Sequence, residues 1–433
     1  MQTHFAPEQL ADPQTRALEK ILRSCVHCGF CTATCPTYVV SGDERDSPRG
    51  RIYLIKDLLE TDRAPTDDDV WPIDHCLSCN ACMTTCPSGV DYRRLVDRAR
   101  ALIEERYQRP LPDRLMRWAL ARVLPSRPLL ALGLRIGALA RPFAPLIAAI
   151  PRVGPQLGAM LALAQRRRPR ATAERRAATS LVQPTPGGRR VALLTGCAQA
   201  VLAPEINAAT ERLLSRAGIA VAPAPGERCC GSLLHHMGRE DAARAQMRAA
   251  IDAWTPLIKE GLEAIVVTAS GCGATIKDYC ALLADDSAYA DKAARVAAMA
   301  RDVTEYVAGL DLAFAAPKPL VVAYHAACTL QHGQQIVEPP KALLRRAGFE
   351  VRSPSESHLC CGSAGTYNIL HPETAAALRA RKVANLERLQ PDVVAAGNIG
   401  CLTQIAGATT VPVVHTVELL DWASGGPAPA GLG

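Results

Sequence analysis

"SCVHCGFCTATCP" (residues 24–36) sets Cys25, Cys28, Cys31 and Cys35 at intervals of three, three and four, and follows the last with Pro36. "HCLSCNACMTTCP" (residues 75–87) repeats that arrangement with Cys76, Cys79, Cys82 and Cys86 before Pro87. The chain holds 17 cysteines in 433 residues. Its first stretch, "MQTHFAPEQLADPQTRALEK", has no basic region leading into an apolar one, so the expected compartment is the reducing cytoplasm. Thiols this dense then read as metal ligands rather than as a disulfide framework.

A spacing of C-x2-C-x2-C-x3-C-P, given twice, is the pattern of a two-cluster bacterial-type ferredoxin, in which the fourth cysteine of each run serves the other cluster. The expected ligand sets therefore cross: Cys25, Cys28, Cys31 and Cys86 around one [4Fe–4S] cluster, and Cys76, Cys79, Cys82 and Cys35 around the second. Zinc knuckles present two C-x-x-C pairs well apart and do not place three cysteines within seven residues. His27 and His75, inside and beside the motifs, are expected to be polar cover over the clusters.

The connectors say which kind of ferredoxin this is. "SPRGRIYLIKDLLE" reads as a helix with Ser47 as N-cap, Pro48 in the first turn, and Ile52, Ile55, Leu58 and Leu59 on one face. "DYRRLVDRARALIEERY" puts Leu95, Ala99, Leu102 and Ile103 in the same register. With no hairpin signals, residues 1–108 are expected to form an α-helical ferredoxin domain.

Residues 109–164 are rich in Leu, Ala, Arg and Pro. Arg135, Arg141 and Arg152 keep every uncharged run below the roughly 20 residues of a membrane span. Short amphipathic helices are expected there, lying on a membrane surface, against a partner subunit, or over the protein's own domains. Residues 165–188, with arginines, Pro and Gly and no apolar period, read as an exposed linker. The net charge of +7 owes much to this stretch. Five Phe and four Trp supply few stacking platforms, so no nucleic acid partner is expected.

From residue 189 onward, "RRVALLTGCA", "EAIVVTASGCGATIKDY", "PLVVAYHAACTL" and "PDVVAAGNIGCLTQI" each run from an apolar strand through a turn into helix-like sequence. That is α/β architecture with parallel strands, whose ligands sit at the strands' carboxyl ends. It is also duplicated: Cys197, Cys229 and Cys230 recur 131 residues later as Cys328, Cys360 and Cys361, and Cys272 recurs 129 later as Cys401. The expected domains are 189–313 and 314–425, with 426–433 a flexible tail and Cys280 outside the scheme. The eight thiols should converge in two equivalent places or in one crevice between the halves. His325 and His358, close before Cys328 and Cys360, stand near enough to serve as ligands or proton carriers.

A helical double-cluster module followed by two "CCG" domains resembles the glycolate oxidase iron–sulfur subunit family, as do "SPRGRIYLIKDLLE", "YHAACTLQHGQ" (324–334) and "GNIGCLTQIAG" (397–407). The resemblance implies an electron-transfer subunit. FAD-containing partner chains would oxidise glycolate to glyoxylate, and this chain would pass the electrons towards quinone or another membrane acceptor, as a cytoplasmic protein peripheral at the inner face of the membrane. Similar layouts serve lactate and glycerol-3-phosphate dehydrogenases, and more distant ones heterodisulfide reductases, which makes a thiol reductase the alternative. In those reductases a full CCG domain adds a C-x-x-C; here Ala269 and Asn398 stand at its first position. A further cluster on Cys197, Cys229, Cys230 and Cys272, where the turns are glycine-rich, is the stronger expectation, and one on Cys328, Cys360, Cys361 and Cys401 the weaker. No G-x-G-x-x-G opens a helix after a strand, so neither NAD nor FAD, and no substrate, is expected on this chain.

Overall fold

The structure, a computed structural model, describes residues 1–151, 153–165 and 188–433; the expected linker lies almost wholly outside them. The chain begins as a bundle of short helices. Ser47 caps the helix Pro48–Thr61 by accepting from the Gly50 amide at 3.0 Å, and Ile52, Ile55 and Leu58 turn inward with Leu59 half-buried. The helix Tyr92–Arg106 buries Leu95, Ala99 and Ile103 against it, and its Leu102 is buried as well. Each fully buried Leu or Ile contributes roughly 1.5–3 kcal/mol to holding this pair.

The second part consists of two four-stranded sheets, both entirely parallel. The first contains β1 (Arg190–Leu193), β2 (Ala220–Ala222), β3 (Ala264–Val267) and β4 (Ala300–Asp302), in the order β2-β1-β3-β4. The second repeats the order as β6-β5-β7-β8, with β5 Val321–His325, β6 Glu350–Arg352, β7 Val393–Ala396 and β8 Val413–His415. The central strands β1, β3, β5 and β7 lie in the four stretches whose apolar runs announce them. The outer four have only three residues each, too short to give a period, and were not legible.

One apolar core runs through both halves, joining Leu213 and Leu214 of the helix Pro204–Arg216 to Leu419 and Leu420 of the helix Thr416–Ala423. Arg212 and Arg216 both pair with the buried Asp421 across the same seam. At the other end the Ser270 hydroxyl meets the Thr329 hydroxyl at 2.8 Å, and His415 Nε2 donates to the Thr268 carbonyl at 2.8 Å. The helical domain is held on both halves. His235 and Arg239 of the first half pair with Asp97 and Glu104, and the Thr84 hydroxyl reaches His332 of the second at 2.8 Å.

Between the two parts lie the helices Leu111–Val123, Arg127–Leu139, Ala144–Ala148 and Gly154–Gln165. Among the described residues no single helix is long and apolar enough to cross a membrane. Arg127–Leu139 and Arg141–Ala148 reach that length only together, across a 59° bend.

Candidate metal centres

The two ferredoxin-type runs adopt one local conformation twice. His27 and Gly29 in the first, and Ser78 and Asn80 in the second, take left-handed backbone angles between the cysteines. Such single left-handed residues curl each loop so that its side chains converge, a conformation Asn and Gly adopt at least cost. Cys25, Cys28, Cys31 and Cys86 line one cavity of about 430 Å³, counting its open mouth, together with Pro48, Ile52, Val90 and Tyr92. Cys35, Cys76, Cys79 and Cys82 line a second of about 310 Å³, and Cys82, Pro48 and Tyr92 border both. Burial pushes the Cys31 thiol up to about 11, and Cys79 and Cys82 well above the ordinary range. Without a cation these thiols stay neutral; iron supplies the charge that makes them thiolates, so four-thiol cavities of this kind fit a cluster.

Several polar groups around the second cavity were not foreseen. Arg51, 1% exposed, brings Nη1 to 3.8 Å from the Cys35 sulfur, donates to Thr37 at 3.0 Å and pairs with Asp46 at 3.1 Å. Asp46 in turn faces His75 Nδ1 at 3.2 Å. The Ser78 amide and the Tyr92 hydroxyl donate to the Cys76 sulfur at 3.4 and 3.6 Å. A signal for Arg51 was present: it stands four and seven residues before Ile55 and Leu58, on the buried face, where an unpaired guanidinium would be very costly.

In the α/β halves the cysteines sit beyond the carboxyl ends of the strands, one set per half. Cys197 and Cys229 have sulfurs 3.5 Å apart, and Cys328 and Cys360 have theirs 3.8 Å apart. Each doublet is followed by a left-handed glycine, Gly231 at φ +84° and Gly362 at φ +86°. A Cβ on either would come within 3.0 Å of a helix carbonyl, that of Ala243 or Ala375, so the third residue of "CCG" is fixed by conformation and space.

The halves are not equivalent. In the second, the ligand atoms of His325, Cys361 and Cys401 all lie within 4.8 Å of one another, fully buried, with the His325 ring facing the Cys401 sulfur. Asn398, at the first position of the incomplete C-x-x-C, donates to the Cys401 sulfur at 3.6 Å. The first half has Leu194 at the position matching His325. His358 does not join the set; its carbonyl faces His332 Nε2 at 3.1 Å. The second set also adjoins the helical domain, because Leu77, Cys79 and Ala81 form one buried group with Cys328, Cys360 and Tyr367. Cys280 is exposed and apart.

Comparison with known proteins agrees with this layout. A family described as a 4Fe-4S dicluster domain matches residues 21–90, and one described as a cysteine-rich domain matches residues 191–277 and 322–406. The glycolate oxidase iron–sulfur subunit of Escherichia coli is 42% identical over 98% of this chain and 99% of its own length. A probable glycolate oxidase iron–sulfur subunit of Bacillus subtilis is 31% identical over 93% of this chain and 94% of its own. Lactate utilization protein A of Bacillus licheniformis is 27% identical over 54% of this chain and 99% of its own. The dicluster module, the duplicated cysteine-rich sheets and the near full-length identity together place the chain in the family of glycolate oxidase iron–sulfur subunits, components of an oxidoreductase complex.

Proposed function

We propose that this chain is the electron relay of a flavin-dependent glycolate dehydrogenase. FAD-bearing partner subunits oxidise glycolate to glyoxylate, and electrons leave one at a time through this chain towards a quinone or another membrane acceptor. Cys25, Cys28, Cys31 and Cys86 hold the first [4Fe–4S] cluster, and Cys76, Cys79, Cys82 and Cys35 the second. The observation that carries this reading is the shared wall of the two four-thiol cavities, since both are bordered by Cys82 and Tyr92. Single electrons need redox centres this close.

Entry falls naturally at the first cluster, where Cys28 is exposed and is flanked by the exposed Val26 and Phe30. The second α/β half supplies a third centre beside Cys79, held by Cys328, Cys360, Cys361 and Cys401 with His325 as a nitrogen ligand. What favours this half over the first is that it offers five donors, three of them within 4.8 Å of one another, against four thiols in the other. The chain works at the inner face of the cell membrane, which its arginine-bearing helices around residues 111–150 would touch.

The deciding experiment replaces the fourth cysteine of each run in the purified complex. Cys86→Ser should abolish the electron paramagnetic resonance signal of the first cluster and Cys35→Ser that of the second, with glycolate-to-quinone transfer lost in both. Retained transfer in either variant refutes the relay. A lactate-specific complex, the second reading, rests on the match to the lactate utilization protein and is settled by comparing the two acids as substrates.

A further inference from the structure

Beside the second four-thiol cavity opens a much larger pocket, about 1280 Å³ counting its mouth. On one side stand Trp71, Asp74 and His75, from the segment that runs directly into Cys76. On the other stand His371 from the second α/β half and Arg109 and Arg117 from the start of the intervening helices. The rings of His75 and His371 lie 4.6 Å apart at centroid, and those of Trp71 and His75 4.1 Å. His371 Nε2 is buried without a partner, and the buried Tyr367 hydroxyl beside it faces Thr374. Burial and the neighbouring His75 push His371 down to about 3, so its imidazole is neutral and has one N–H to give. Arg109 and Arg117 are paired with Asp74 at 2.7 and 2.8 Å and with Asp113 at 3.3 and 3.1 Å. The cavity thus presents aromatic rings that meet edge to face, a buried imidazole nitrogen without a partner, and no positive charge left unpaired to draw an anion.

That chemistry suits a planar, uncharged molecule with carbonyl oxygens at its ends. The surroundings say how it would arrive: the helix that supplies Arg117 exposes Leu111, Leu115 and Trp118 on its outer side. We infer that this pocket is a quinone-reduction site, in which the head group stacks by Trp71 and takes hydrogen bonds from His371 and His75, while its tail follows the apolar helices into lipid. The inference rests on the relay reading above and names that relay's exit. Two electrons, delivered singly from the centre that includes Cys76 and supplied by the hydroxy acid oxidised on the flavin chain, and two protons from solvent at the mouth convert the two C=O groups of the quinone to the two C–OH groups of the quinol.

The test uses the assembled complex with two acceptors, a short-chain benzoquinone and a soluble phenazine dye that takes electrons directly from exposed clusters. In His371→Ala and Trp71→Ala the ratio of quinone to dye reduction should fall at least tenfold, mainly through KM for the quinone. A photoactivatable azidoquinone bound to the unaltered complex should label peptides containing residues 67–75 or 370–374. An unchanged ratio, or labelling confined to other peptides, overturns the site while leaving the relay intact. If the unaltered complex reduces dye and no quinone, the quinone reading fails with it.

Discussion

Arg51 holds its Nη1 3.8 Å from the Cys35 sulfur and its Nη2 3.1 Å from Asp46, in a part of the helical domain from which solvent is excluded. A fixed positive charge beside a cluster ligand favours the more negative, reduced state of that cluster. In Arg51→Met the second cluster should therefore become harder to reduce, by on the order of 50 mV for a screened charge at this range. Asp46, left buried with only His75 beside it, should also cost the fold about 3 kcal/mol. Redox titration followed by electron paramagnetic resonance reads the first effect and denaturant unfolding the second; an unshifted potential would remove Arg51 from any electrostatic role.

His325 should behave differently in its two possible roles. As a ligand it would give the third centre a nitrogen hyperfine coupling that vanishes in His325→Ala, with iron per chain falling from about twelve atoms to about eight. As a merely packed side chain its loss should change stability and leave iron and spectrum as they were. Zinc in place of the additional iron would remove the centre from the electron path.

The contact between Asp97 and His235 joins the helical domain to the first α/β half and should respond to pH. Burial works against both charges, but each stabilises the other, so His235 is raised and Asp97 held well below the usual carboxylate range. The stabilisation from His235 is full below its unfolded value, near pH 6.5, and is lost as pH rises through the higher folded value. That from Asp97 is present above about pH 4 and is lost as pH falls well below it. Thermal unfolding should thus peak at mildly acid pH, and Asp97→Asn should flatten the profile and cost about 3 kcal/mol.

Ten of the sixteen exposed large apolar side chains among the described residues lie between positions 111 and 150, with Arg114, Arg122, Arg135 and Arg141 exposed among them. Such a surface should bind vesicles containing anionic lipid and much less those that are purely zwitterionic. Phe143→Glu with Leu146→Glu should reduce co-sedimentation severalfold. Equal binding to both vesicle types would mean that charge plays no part.

The sequence by itself determined the chemistry and the plan. The three closely spaced cysteines of each run need no tertiary context, because the local loop brings them round, and the "CCG" repeat displayed the duplication directly. The apolar faces of Pro48–Thr61 and Tyr92–Arg106 and the central strands were legible for the same local reason. Only the tertiary structure decided what depends on distant segments meeting. It set His325 among Cys361 and Cys401 while the first half offers Leu194, laid Cys79 against Cys360, and closed a pocket between His75 and His371, nearly 300 residues apart. Duplication predicts equivalent halves; packing against a single helical domain makes them unlike, because that domain meets each half with a different face.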